Sequence, residues 1–270
     1  MNFKDIFFVQ RDIPGLDPDI LFTVGPFAFA SSTILTLVVV LLFLLFGLLF
    51  VRRFKVSPTS FQVAIESIYE AVVGLIDQIT NDTTRSRKIF PIVGAMLVYL
   101  LVANLIGLIP GLESITLNDT PLFNTPTADF NTTFGLALGA IIVINIVSVF
   151  EWGVLGYIGR FIPLHKVYQG FKKGIGAGFM SIIDVLLGLL DIIGELAKVI
   201  SLSLRLFGNM YAGQVLAIIL LGAFAYVIPS IWLAMNLFVG ILQAMVFAAL
   251  VAAYYMLAVN PAKGDPQKKT

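Results

Sequence analysis

One arginine stands where charge is rare. Arg205 is the only charged residue between Val199 and Ala262, inside the run SLSLRLFGNMYAGQVLAIILLGAFAYV. A charged side chain at the centre of a bilayer costs from about 3 kcal/mol on insertion scales to roughly 10 or more in simulations. An opposite charge or a water-filled path offsets that cost, and either one points to the movement of ions. Upstream in the same segment come Asp184, Asp191, Glu195 and Lys198, spaced by seven, four and three residues, with seven more to Arg205. These are helical spacings, so the five share one face, and Asn209 extends it by a turn. No acid lies within four residues of Arg205, so its counter-charge must come from elsewhere in the chain or from another chain. Glu195 and Lys198 either pair with each other or belong to an ion path. Asn236, Gly240 and Gln243 share a face of the last apolar segment, while Gln214 lies nearly opposite Arg205 around its helix. Amides do not titrate near neutral pH, so these side chains either orient water or bond between helices. Gly208 and Ala212, three and seven residues past Arg205, would let another helix approach closely.

The elements that position these residues are membrane helices. The chain is 59% hydrophobic and only 12% charged, where a soluble domain carries about 25% charged residues. Apolar stretches fall at about 27–51, 90–112, 130–158, 180–226 and 229–258, each able to cross the hydrocarbon core. Residues 57–80 differ. They follow the helix-start signal Ser57-Pro58 and mix Glu66, Glu70 and Asp77 with Ile65, Ile68, Val72, Val73 and Ile76. That pattern is an amphipathic helix for the interface or for another subunit. The absence of cysteine excludes disulfides and thiolate metal sites. A net charge of +1 points to no nucleic acid partner, and no phosphate-binding glycine loop is present. Neither a cofactor nor a metal is expected. The single histidine, His165, sits beside Pro163 and Lys166 and reads as a surface residue.

Charge orients the spans. Asp5, Asp12, Asp17 and Asp19 make the N-terminal segment acidic, unlike a cleaved signal peptide. Arg52, Arg53 and Lys55, then Arg85, Arg87 and Lys88, mark the inside. The 113–129 loop holds Glu113, Asp119 and Asp129 and no basic residue, so it lies outside. Arg160, Lys166, Lys172 and Lys173 return inside, as do Lys263, Lys268 and Lys269, while the uncharged connection near Pro229 falls outside. The expectation is an all-α membrane protein of five transmembrane helices plus one interfacial helix, N-terminus out and C-terminus in. Its parts are an external segment 1–26, a first span 27–51, a cytoplasmic-side amphipathic helix 57–80, a four-helix ion-channel domain 90–258 and a cytoplasmic tail 259–270. As one helix, 180–226 would be about 70 Å long and would lie about 65° from the membrane normal. The final span would lie about 45° off. Without proline in 180–226, strong tilt is favoured over a break, which places Arg205 near mid-membrane.

Ser201–Leu216, SLSLRLFGNMYAGQVL, resembles the signature of subunit a of F-type ATP synthases, the stator beside a rotating ring of c subunits. Asn104–Pro110, Thr125–Thr133 and Asp191–Leu196 resemble further motifs of that family, and the resemblance covers about 90–258. It implies that Arg205 is the essential stator arginine, that Asn209 is its partner position and that Gln243 approaches it from the last helix. It implies partners: the c-ring, with a carboxylate facing Arg205, the b-subunit peripheral stalk, the remaining ATP synthase subunits and the lipid bilayer. It implies translocation of an ion, a proton first of all, through two offset half-channels in a bacterial plasma membrane. ATP chemistry would lie in other chains. Asn236, Gln214 and Gln243 would line the outer path, with Asp184, Asp191 and Glu195 on the inner one. Gln214 and Asn236 depart from the family, which often has glutamate or histidine there; Glu113, Asp119 and Asp129 could supply the outer charge. Trp152 beside Glu151 reads as an interfacial anchor. An alternative is a stand-alone secondary transporter with Arg205 binding an anionic substrate, but no internal repeat supports it. A structural scaffold would leave Arg205 unexplained.

Overall fold

The computed structural model describes residues 19–25, 27–52, 59–109, 112, 115–117, 120–161, 172, 175–223 and 228–259. A short hairpin, β1 (Ile20–Val24) and β2 (Phe27–Ala30), leads directly into α1 (Ser31–Arg52). Then come α2 (Ser60–Thr80) and α3 (Thr83–Gly107), a second small hairpin of β3 (Thr116–Leu117) and β4 (Thr120–Pro121), and a 3-10 turn at Pro126–Ala128. Three long helices complete the order: α4 (Phe130–Phe161), α5 (Ile175–Ala223) and α6 (Ile228–Val259). Among the described residues, four helices are long and apolar enough to cross a membrane, namely α1, α3, α4 and α6.

The helix ends explain where the observed bounds differ from the apolar stretches. The first span starts at Ser31 rather than residue 27, because the four residues before it pair with β1. The amphipathic helix starts at Ser60, its first turn capped by the Thr59 side chain, which accepts from Gln62 N; Ser57 and Pro58 lie outside the described residues. It ends at Asn81, whose left-handed φ of 52° turns the chain. Asp82 at once caps α3, accepting from Thr84 N and Arg85 N at 3.0 and 3.3 Å. Arg85, Arg87 and Lys88 therefore occupy the first turns of a helix that begins well before residue 90. Hydropathy locates hydrocarbon, whereas the cap locates the helix.

The core is formed by α3, α4, α5 and α6. Val93, Leu97 and Leu100 of α3 meet Ala140 and Ile144 of α4, Leu202 and Leu206 of α5, and Phe247, Val251 and Tyr255 of α6. One face of α2, with Val72, Val73 and Ile76 buried, packs on α3 and α6. The C-terminal half of the amphipathic helix thus buries apolar side chains within its own chain, while Phe61, Val63 and Ile68 stay exposed, as does Glu70. α1 stands at the edge, in contact with α3 and the 3-10 turn, and exposes Leu37, Leu41, Leu44 and Leu48. α4 is interrupted at Gly153, whose φ of 73° and ψ of 159° only glycine adopts readily. α5 is helical over all 49 residues, about 74 Å at 1.5 Å per residue.

Polar side chains fasten both ends of the bundle. At one end the Lys88 ammonium pairs with Glu151, joining the start of α3 to the end of α4. Nearby, the Ser148 hydroxyl donates to Ala258 O at 3.1 Å, tying α4 to α6. At the other end the Ser32 hydroxyl of α1 donates to Asp129, which also caps α4 by accepting from Asn131 N at 2.8 Å. Gly107 sits where an added Cβ would fall on the Thr125 side chain, so a methyl group there would push the 3-10 turn away from α3. Gly107→Ala is expected to destabilise the protein by about 1–3 kcal/mol. Gly135→Ala, which meets open space, should be neutral or slightly stabilising. Thermal unfolding of the two purified variants against the parent checks the contrast.

Candidate functional site

Arg205 projects from the face of α5 that the rest of the chain leaves uncovered. It is exposed, and among the described residues it makes no hydrogen bond and no ion pair. Its neighbours on that face, Ser201, Leu204, Gly208, Asn209 and Ala212, are exposed as well, and an added Cβ at Gly208 would touch nothing. Leu202, Ser203, Leu206 and Met210 point the other way and are buried. α5 thus has an inner apolar stripe and an outer stripe of small residues around one cation.

The amides sit between that open face and the core. Asn209 Nδ2 donates to Gln243 Oε1 at 2.8 Å, linking α5 to α6 one turn past Arg205. Gln243 is 5% exposed. Its Nε2 is buried without a hydrogen-bond partner among the described residues. The bond that Gln243 makes is therefore to Asn209, not to Arg205. Gln214 Nε2 donates to Thr125 Oγ1 at 3.0 Å, consistent with its position on the side of α5 away from Arg205. Asn236 Nδ2 reaches Gly213 O at 3.4 Å, and an added Cβ at Gly213 would come within 2.9 Å of Asn236 Oδ1. Gln214 and Asn236 thus bond between elements, the plainer of the two roles open to them.

The acidic groups lie elsewhere on α5. Glu195 pairs with Lys198 at 2.7 Å, and the Lys198 ammonium sits 5.4 Å above the Tyr254 ring of α6. Asp191 is exposed and Asp184 half-buried; Asp184 lies about 30 Å from Arg205 along the helix. Asp129 is committed to the α1–α4 junction. Glu113, Asp119 and His165 lie outside the described residues, and Trp152 is exposed near the end of α4.

The spacing of residues does not reveal a second polar seam. The Thr127 hydroxyl donates to Asn104 Oδ1 at 2.8 Å, and Asn104 Nδ2 donates to Gly240 O at 2.9 Å. One amide thereby joins the 3-10 turn, α3 and α6. Gly240 permits this close approach, since a Cβ added there would come within 3.2 Å of Asn104 Cβ. Trp232 Nε1 donates to Gly213 O at 3.0 Å, adding a second clamp where α5 meets α6. An asparagine near the end of an apolar span was the available signal for Asn104. For Trp232 it was an indole one turn before Asn236.

These features define a class: an integral membrane protein of packed helices whose polar seam and open arginine face suit the passage of ions. The family described as ATP synthase A chain matches residues 32–256, and the chain belongs to it. ATP synthase subunit a of Desulforamulus reducens is 35% identical, over 83% of this chain and 77% of that one. ATP synthase subunit a 1 of Pelobacter propionicus is 31% identical over 83% and 86%, and ATP synthase subunit a of Moorella thermoacetica 28% over 87% and 93%. Family membership makes this an ion-translocating membrane subunit of a rotary ATP synthase, with ATP formation itself carried by other subunits.

Asn104 is 1% exposed, and removing its side chain strands the Thr127 hydroxyl and the Gly240 carbonyl. Asn104→Ala should cost about 1–3 kcal/mol. Asn236→Ala, which loses one long bond from a half-buried site, should cost less. Melting temperatures of the two variants in detergent give the order.

Proposed function

We propose that this chain carries ions, protons first of all, between two offset half-channels by way of a carboxylate on a rotating c-ring seated against the open face of α5. The observation that carries the reading is Arg205: a permanent cation, exposed among small residues and without a partner among the described residues. A charge so placed needs a counter-charge from another chain. A passing rotor carboxylate meets that need only when ionised, so Arg205 lowers its pKa and favours release of the ion. The same charge repels a cation that would leak straight from one half-channel to the other. Arginine suits the task because, unlike lysine, it does not lose its proton when desolvated.

The five-span reading adds α5 to the four apolar helices. An unbroken helix of 49 residues crosses a core of about 30 Å only if it lies roughly 65° from the normal. Lys88 and Glu151 then mark the inner end, and Ser32, Thr125 and Asp129 the outer end, with the N-terminal segment outside a bacterial plasma membrane and the C-terminal tail inside. The b-subunit stalk and the remaining synthase subunits complete the stator and the catalytic head. On the inner side Asp184, Asp191 and the Glu195–Lys198 pair line the exit. On the outer side the ion passes Gln214, Asn236 and Gln243, which bond to their neighbours and do not titrate. Water is then the carrier past those amides.

Arg205→Ala is expected to abolish ATP-driven ion pumping by the assembled complex in sealed vesicles while the subunit still assembles; near-normal pumping, read as quenching of a pH-sensitive dye, would defeat the assignment. Gln214→Glu is expected to retain pumping, since it adds a titratable group to a path that water already serves. Complete loss of proton flow in that variant would put the outer path elsewhere.

A further inference from the structure

The hairpin ahead of α1 takes no part in the ion path, yet it is built and placed with care. Phe22 pairs with Phe29, Thr23 with Ala28 and Val24 with Phe27, with a bulge between Ile20 and Phe22. Gly25, at φ 62°, provides the turn. The Phe22 and Phe29 rings stack at 5.0 Å. β2 runs into α1 without a linker, and Ser31 N donates to Asp19 O at 3.0 Å across the base of the hairpin. The Ser31 hydroxyl also donates to Pro121 O, and Asn124 Nδ2 reaches Asp19 Oδ2 at 3.4 Å. The hairpin is thereby held level with the start of α1 and with the segment from Pro121 to Asn124.

We infer that this hairpin is a lipid anchor, lying in the outer headgroup layer with Ile20 and Phe22 against the acyl boundary. Two opposing costs fix that depth. Ile20 is 50% exposed and Phe22 46%, and a lone two-stranded hairpin is marginal in water. It needs an apolar surface to lie on. Hydrocarbon is closed to it as well: both strands are edge strands, and their outward N–H and C=O groups would go unsatisfied there. The headgroup layer alone offers both water for the edges and acyl chain for the side chains, and aromatic residues collect in that layer. The lipid surface is marked by the neighbouring helix: directly along the chain, α1 exposes Leu37, Leu41, Leu44 and Leu48 as an apolar stripe.

The chain has no cysteine, so Phe22→Cys creates one labelling site for a nitroxide in this subunit. The assembled complex is reconstituted in phosphatidylcholine vesicles, and the signal of the equally treated parent complex is subtracted. Power saturation with oxygen and with a water-soluble nickel chelate then reads depth. The label should show an oxygen-to-nickel ratio several-fold above that of a free nitroxide in water and clearly below that of Leu41→Cys in mid-span. A ratio equal to that in water places the hairpin in solvent and overturns the inference. Shielding from both reagents, the mark of a protein partner, overturns it too, as does a ratio matching Leu41→Cys. Should Phe22→Cys fail to assemble, Ile20→Cys provides the same reading with the aromatic stack intact.

Discussion

Hydrocarbon offers no hydrogen-bond partner, and this constraint decides where each polar group of the chain goes. Asn104 shows the rule at work. Its amide is buried among helices, and both of its ends are used, one by Thr127 and one by the carbonyl of Gly240. Glu195 has Lys198, and Lys88 has Glu151. Arg205 has no such partner among the described residues, and it faces outward from the bundle.

The comparison of sequence with structure divides along the same line. The helices were legible because lipid selects long apolar runs, and α5 was legible as unbroken because it lacks proline. The start of α3 was not, since Arg85, Arg87 and Lys88 interrupt the hydropathy while Asp82 already caps the helix. The β1–β2 hairpin was not either. Its residues are as apolar as those of a span, and only Gly25 and Pro26 hinted at a turn. Within the site, helical spacing put Arg205 and Gln214 on opposite sides of α5, and the structure agrees. Spacing along one helix says nothing about which faces of two helices meet. Asn104 finds Gly240 across 136 residues, and Gln243 finds Asn209 across 34. Such pairs appear only once the bundle is assembled.

The neutral character of the amide seam has a chemical consequence. Thr125, Gln214, Asn236 and Gln243 neither gain nor lose a proton in the physiological range, so the geometry of this region does not change with the protonation of its own lining. Groups able to hold charge on α5 are confined to the stretch from Asp184 to Lys198 and to Arg205 itself. The chain therefore places its fixed cation, Arg205, about two turns beyond Lys198 and nearly three beyond Glu195 on the same helix.

The fastenings of α5 also carry a mechanical meaning. Lys198 over Tyr254, Asn209 with Gln243, Gly213 with Trp232 and Asn236, and Gln214 with Thr125 are spread over about four turns and tie α5 to α6 and to the start of the 3-10 turn. Leu202 and Leu206 fill the gaps between them. A sideways load on the Arg205 face is thus shared in shear by several short bonds and a close-packed wall rather than bending one slender rod. The helix behaves as a braced beam, stiff against a load on that face.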